Sequence, residues 1–211
     1  MADVGRRIED RLRAEYFDLL PEIRRVAEQL EAEIRYHLLP LSKQLKNHER
    51  LLVTARVKDC ESALQKLRRD LQFATFDNDQ PERYSLTSLK DLAGIRVLAF
   101  PRGQLSEIDS ALHTIFHWNS DPVMGDGEEV LALKYYGHCT ASSKIMGEYQ
   151  IVSMLIGLFW EVEHSVMYKP DPDLRGLAKH PKMVKERTSV LHALRSFEEQ
   201  FETLLQAGEN V

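Results

Sequence analysis

The sequence predicts an α+β fold, a mixed β-sheet of about five strands flanked by helices, with helical extensions at both ends. Three observations carry this expectation. Apolar residues recur every three or four positions before residue 48 and again after residue 182, the period drops to two from Leu51, and short β-type runs then alternate with helical ones. By pattern alone, strands interleaved with helices suit α+β or α/β, and no internal repeat or low-complexity tract interrupts them. A chain of 211 residues and 24.4 kDa can bury one core of ordinary size. One domain over 1–211 is therefore expected, with a helical lead-in over 8–48, a core over 50–170 and a last helix over 182–205.

The lead-in rests on Ile8, Leu12, Tyr16, Leu19 and Leu20, then Ile23, Val26, Leu30 and Ile34, with interruptions expected at Pro21 and Pro40. From Leu51, Val53, Ala55 and Val57 should face one way and Thr54, Arg56 and Lys58 the other, as in a half-buried strand. Ser62 to about Phe73 returns to helix, with Leu64, Leu67 and Leu71 on the apolar side and Ser62, Lys66 and Arg69 opposite. Asp77 to Ser88 is polar and reads as a loop. Ala93 to Phe100 reads as a buried strand preceded by Asp91, and Leu105 to Phe116 as a helix. After a loop over 119–129, Val130 to Ala141 and Glu148 to Met154 are strand-like. Leu155 to Tyr168 is expected to be a helix with Leu155, Leu158, Phe159, Val162 and Val166 as its core stripe, and a Pro-rich break precedes the last helix.

Composition excludes several roles. Lys plus Arg (28) against Asp plus Glu (33) leaves a net charge of −5, so no whole-molecule basic field attracts long nucleic acid. Any phosphate ligand must meet a local basic pocket. Cys60 and Cys139 are too few for a disulfide framework and lack metal-ligand spacing, which suits a reducing compartment. The first residues carry mixed charge rather than an apolar stretch, and no run is long enough to cross a membrane, so the cytoplasm is the expected location.

Four patches then stand out: Arg56-Val57-Lys58 with Ser62 and Lys66, Asp91 to Arg96, Tyr135 to His138, and Glu148 to Ile151. In this order they set cations, an isolated Asp, an aromatic-His segment and an isolated Glu at the ends of successive β-type runs. Such a set suits handling of a triphosphate by a metal and cations. Arg56 and Lys58 would clamp phosphate oxygens, with Lys66 and Arg69 extending the clamp. Mg²⁺ takes one or two carboxylates plus phosphate oxygens, which Asp91 and Glu148 would supply if their strand ends meet. Each patch singly has a plainer reading: a solvated basic face, a turn cap at Asp91, a hairpin residue at Glu148, a core tyrosine among Tyr135 and Tyr136, a structural His138 or His164. No Gly-rich phosphate loop, Ser-His-Asp spacing or His/Cys cluster is present.

From about residue 50 to residue 170 these patches resemble the RelA/SpoT-like nucleotidyltransferases, whose synthetase domains move pyrophosphate from ATP to a ribose hydroxyl. The helical arms are similar to those of small single-domain members. The resemblance implies a nucleotidyltransferase-like fold and an ATP site at Arg56, Lys58, Ser62, Lys66 and Arg69. It implies metal ligands at Asp91 and Glu148, with Glu148 also deprotonating the acceptor hydroxyl, and a following helix from Trp160 through Tyr168-Lys169. It further implies Mg²⁺ as cofactor, ATP and GDP or GTP as ligands, and (p)ppGpp with AMP as products.

On the acceptor side the chain departs from that family, where a Tyr four residues before the His stacks on the acceptor base. Lys134 holds that position, with Tyr135 and Tyr136 following it before His138. Either a one-residue deletion lets Tyr135 stack, or the pocket has changed. Acceptor contacts are thus expected from Lys134, Tyr135, His138 and Gln150. Val152 stands where relatives commonly carry Arg, and Gly125 to Glu129 is acidic where they often show Lys or Arg. Two other functions follow: a toxic small synthetase modifying the tRNA 3′ end or adenine nucleotides, or a nucleotide-binding domain without turnover. Lys179, Lys182, Lys185 and Arg187 offer a modest basic patch for tRNA. A homo-oligomer or an antitoxin partner is compatible with the apolar stripes of the arms.

Overall fold

The computed structural model describes residues 2–70, 83–125, 130–163 and 180–208. Helix α1 (Ala2–His37) and the short α2 (Leu39–Gln44) lead into β1 (Arg50–Val57) and α3 (Cys60–Asp70). Then come β2 (Ala93–Phe100), α4 (Leu105–Phe116), the two-residue strands β3 (Asn119–Ser120) and β4 (Val123–Met124), β5 (Val130–Gly137) and β6 (Gly147–Ser153). Helices α5 (Met154–Glu163) and α6 (Pro181–Gly208) complete the described chain. The result is an α+β fold around one mixed sheet of order β1-β2-β6-β5-β3, with β4 also on β5. The sheet has six strands rather than about five because β3 and β4, too short for a periodic signal, both pair with β5. Among the described strands only β2 and β6 run parallel.

Helix α1 runs straight through Pro21, where an interruption was expected. A proline inside a helix costs about 3 kcal/mol. Against this, Ile8, Leu12, Tyr16, Ile23, Val26, Leu30 and Ile34 are all buried along one stripe, each worth roughly 1.5 to 3 kcal/mol. Burial wins, and the same helix bridges two core clusters. Its N-terminal half packs on α3 and on Leu86, Leu89 and Leu92, whereas Leu30 and Ile34 join Val97, Tyr149, Ile151 and Leu112 of the sheet and α4.

A third cluster lies on the other face of the sheet, where Leu98, Ala132 and Val152 meet Ile156 of α5 and Leu191 and Leu194 of α6. Here the expected stripe of α5 is wrong: Leu158 and Val162 are 43% and 66% exposed, while Ile156 and Gly157 are buried. The helix is apolar almost all round, so periodicity cannot choose a face. Gly157 chooses it, because a Cβ there would lie 2.3 Å from Leu98 Cδ2. The bare glycine lets α5 settle onto β2. Val166 lies outside the described residues. Ala55 also departs from expectation by being exposed, since β1 is the sheet edge and is only partly covered.

Helix α6 carries Glu198, a carboxylic acid with no exposure at all. Burial pushes it above the ordinary glutamate range, with Ser153 and Arg102 acting in the opposite direction. The folded state therefore favours the protonated acid, and stability is lost as pH rises from the ordinary glutamate range through the raised folded value. Glu198→Gln should raise the melting temperature at pH 7 by roughly 2 to 4 °C for each kcal/mol relieved, and the gain should vanish near pH 4. Thermal melts of both proteins across that range check it.

Candidate active site

The site follows from strand register. Paired residues of neighbouring strands point to the same face of a sheet. One face therefore carries Arg56, Gly94, Glu148 and Tyr136 side by side, and at the next level Thr54, Arg96, Gln150 and Lys134. The level after that, Leu52, Leu98, Val152 and Ala132, leads under α5 and α6. The polar levels are the part of this face that the third cluster does not include.

At the edge of the polar levels, Asp91 precedes β2 and Lys58 follows β1. The backbone N–H of Lys58 donates to Leu92 O at 2.9 Å, and Tyr16 Oη donates to Lys58 O at 2.8 Å, so the end of β1 is pinned to the core. Asp59 caps α3 by accepting from the Ser62 N–H at 2.9 Å, which starts the helix so that Lys66 reaches back to Asp91. The Lys58 and Lys66 ammonium groups lie 3.0 and 2.8 Å from Asp91 Oδ2. Burial alone would raise the Asp91 carboxyl, but the two lysines outweigh it and hold it below its ordinary value. Burial lowers Lys58 in turn, with Asp91 opposing.

Glu148 lies on β6 directly across from Gly94. Burial pushes its carboxyl upward and the charge of Asp91 adds to this, while Lys134 and a hydrogen bond from Gln150 Nε2 to Oε1 at 2.7 Å pull the other way. Arg96 ion-pairs with Glu161 of α5 at 3.3 Å and is itself depressed by burial. Asp91, Glu148 and Glu161 thus stand against Lys58, Lys66, Arg56 and Arg96, a slight excess of positive charge suited to a polyphosphate.

The chemistry of the carboxylates also fits a divalent cation. Asp91 Oδ1 is buried with no hydrogen-bond partner, and a buried, unsatisfied carboxylate oxygen whose charge acts on a second carboxyl is what a hard cation satisfies. Among the described residues no group of three or more His, Cys, Asp or Glu forms a protein-only metal cage. Mg²⁺ needs no such cage when a nucleotide provides the remaining oxygens.

The other candidate residues divide. Arg56 is exposed on the site face, and Gln150 and Lys134 lie one level below Glu148 and Tyr136. Ser62 is buried with its hydroxyl donating to Asp59 Oδ2 at 2.7 Å, so its visible task is the helix cap. Arg69 is exposed on the last turn of α3 beside Asp70. Tyr135 is not in the site: it is 5% exposed, stacks on Tyr149 at 4.9 Å and donates to Asp109 Oδ1 at 2.6 Å. Strand alternation sends Tyr136, not Tyr135, to the open face. His138 is exposed just beyond β5. His164, Tyr168, Lys169, Lys179 and most of the acidic 125–129 segment lie outside the described residues. Arg187 of the proposed basic patch pairs with Glu163.

Three residues not expected among the phosphate, metal or acceptor contacts stand at it: Lys90, Asp121 and Tyr136. Lys90 Nζ sits 3.9 Å from the centroid of the Tyr136 ring, and Lys134 Nζ lies 2.7 Å from Asp121 Oδ2. Lys90 and Asp121 belong to turns without periodic pattern, and Tyr136 required knowing which way β5 faces.

This is the arrangement of a nucleotidyltransferase-like fold, with carboxylates and cations gathered on one face of a mixed sheet. The sequence matches no family model and no curated protein. Solved structures do resemble it. Small alarmone synthetase 1 from Bacillus subtilis superposes with a TM-score of 0.69 at 18% identity, covering 94% of this chain and 100% of that one. The same synthetase bound to its product pppGpp gives the same values. A GTP pyrophosphokinase family protein from Streptococcus pneumoniae gives 0.66 at 18% identity, with 90% and 92% covered. The chain has the fold of the RelA/SpoT-like small alarmone synthetases. No helix among the described residues is long and apolar enough to cross a membrane.

Proposed function

We propose that this protein transfers pyrophosphate from ATP to the ribose 3′-hydroxyl of GDP or GTP, making (p)ppGpp and releasing AMP, with Mg²⁺ as cofactor. The observation that carries the reading is the Asp91 carboxylate, shared by Lys58 and Lys66 on one oxygen and buried without a partner on the other, beside Glu148, whose carboxyl burial pushes upward. Asp91 and Glu148 would hold the cation, which when bound supplies charge neutralisation at the triphosphate oxygens.

The chain's own residues do the rest. Lys58, Lys66 and Arg56 take the triphosphate oxygens and orient the β-phosphorus toward the acceptor. Glu148, oriented by Gln150 and lifted by burial toward the range of a useful base, accepts the 3′-hydroxyl proton. The 3′-oxygen bonds to the β-phosphorus as the bond to the α,β-bridging oxygen breaks. AMP leaves with that electron pair.

A second reading keeps this donor chemistry but sends the group to an adenine nucleotide or the tRNA 3′ end. Tyr135 in the core and Lys134 on the open face favour it. Incubation with Mg²⁺ and ATP labelled at the β or γ phosphate, in parallel with GDP, GTP, ADP and bulk tRNA, tests both. Label on a guanine nucleotide is expected. Label on tRNA or ADP alone would select the second reading, and label nowhere would leave a nucleotide-binding domain without turnover.

A further inference from the structure

Beside Tyr136 the sheet ends in β3, and this margin holds polar side chains that the pyrophosphate chemistry does not use. Asn119 pairs with Tyr136, and Asp121 continues the strand by donating its N–H to Lys134 O at 2.8 Å. By alternation, Asn119 and Asp121 project on the same face as Tyr136, Lys134 and Glu148. Both side chains are exposed. Tyr136 is the aromatic side chain at the two polar levels of the described sheet, and Lys90 lies over its ring. A carboxylate and a carboxamide therefore share one corner with a stackable ring, and that ring pairs with the candidate base Glu148 one strand further in.

Resting on the reading of this face as a pyrophosphotransfer site, we propose that Asp121 selects a guanine acceptor by accepting hydrogen bonds from the base's Watson–Crick edge. Guanine offers two adjacent donors there, N1–H and the N2 amine, and an ionised carboxylate has two acceptor oxygens at matching spacing. Adenine presents one donor beside the N1 lone pair, which a carboxylate repels. Hypoxanthine keeps N1–H and lacks the amine. The geometry supports a charged Asp121: a hydrogen bond from Lys134 holds it below its ordinary value, and Lys90 and Lys66 contribute. Lys134 anchors one oxygen without exhausting the carboxylate, which can accept at about four sites. Lys134 would thus serve to position the base-reading Asp, leaving the ring of Tyr136 for stacking once Lys90 moves aside.

The test is binding of GDP, IDP and ADP by calorimetry, with Mg²⁺ and a saturating α,β-methylene ATP analogue filling the donor site, in wild type, Asp121→Asn and Asp121→Ser. Wild type should bind GDP about 10- to 100-fold more tightly than IDP or ADP. Both variants should bring GDP and IDP close to equal, and the amide of Asp121→Asn should improve ADP. Thermal melts exclude unfolding, since Asp121 is an exposed margin residue. Equal affinity of wild type for GDP and IDP, or a ratio unchanged in the variants, would overturn the proposal. Because the readout is binding, it separates from the catalytic reading: discrimination without AMP release would support Asp121 and sink the transferase, whereas AMP release with an unchanged ratio would do the reverse. Absence of binding by every nucleotide would sink both.

Discussion

Glu148→Gln should lower AMP release by about a thousandfold or more and at the same time make the protein more stable. The loss follows because one change removes a proton acceptor, worth typically 10²- to 10⁴-fold, and a carboxylate that would hold the cation. The gain follows because burial and the neighbouring Asp91 both oppose the charge of Glu148, so the neutral amide relieves an unfavourable term at neutral pH. Asp91→Asn should match it in activity and oppose it in stability. Asp91 is the partner of both Lys58 and Lys66, and Lys58 is only 8% exposed. Leaving a buried ammonium unpaired costs about 3 to 5 kcal/mol. AMP release and thermal melts on both variants check this. Equal stability changes of the same sign would refute the electrostatic account of the pair, and turnover surviving in both variants would refute the assignment of the site.

Lys58→Met carries the second large effect. The side chain keeps most of its length and loses its charge, so phosphate binding should fall by roughly 100- to 1,000-fold in kcat/KM, whereas Arg69→Met on the exposed last turn of α3 should change little. The pH response gives an independent readout. In wild type the lysines keep Asp91 below its ordinary value, so its stabilising contribution is complete above the ordinary carboxylate range and is lost as pH falls through the lowered folded value. With Lys58 gone, burial has less opposition and the Asp91 carboxyl moves up. Acid unfolding of Lys58→Met should begin at a higher pH than that of wild type, as followed by circular dichroism. An identical acid limb would show that Lys66 alone sets the state of Asp91.

Much of this was legible in the chain. The change of period at Leu51 located β1, and the apolar run from Ala93 to Phe100 coincides with β2. The Leu105 to Phe116 spacing coincides with α4. These segments have one dominant burial pattern each, so local periodicity and tertiary packing agree. Where several faces were apolar, they parted: α5 could not reveal its buried side, and α1 absorbed a proline because its burial outweighs one lost hydrogen bond.

The residue types of the site follow the same division. That Arg56, Lys58, Lys66, Asp91 and Glu148 suit the handling of a phosphate was legible in their chemistry and order, because charge and hydrogen-bonding capacity belong to the side chain itself. Which of them meet was decided by tertiary structure. The parallel pairing of β2 with β6 sets Glu148 across from Gly94, three residues beyond Asp91, and the capped start of α3 turns Lys66 back onto the same carboxylate. The choice between Tyr135 and Tyr136 shows the reason most plainly. In a strand, adjacent residues face opposite sides, so one residue of register separates a core tyrosine bonded to Asp109 from a ring on the other face, beneath Lys90. Sequence alone determined that two adjacent aromatics stand on this strand. Only the pairing of β5 with β6 decided which of them shares a face with Glu148.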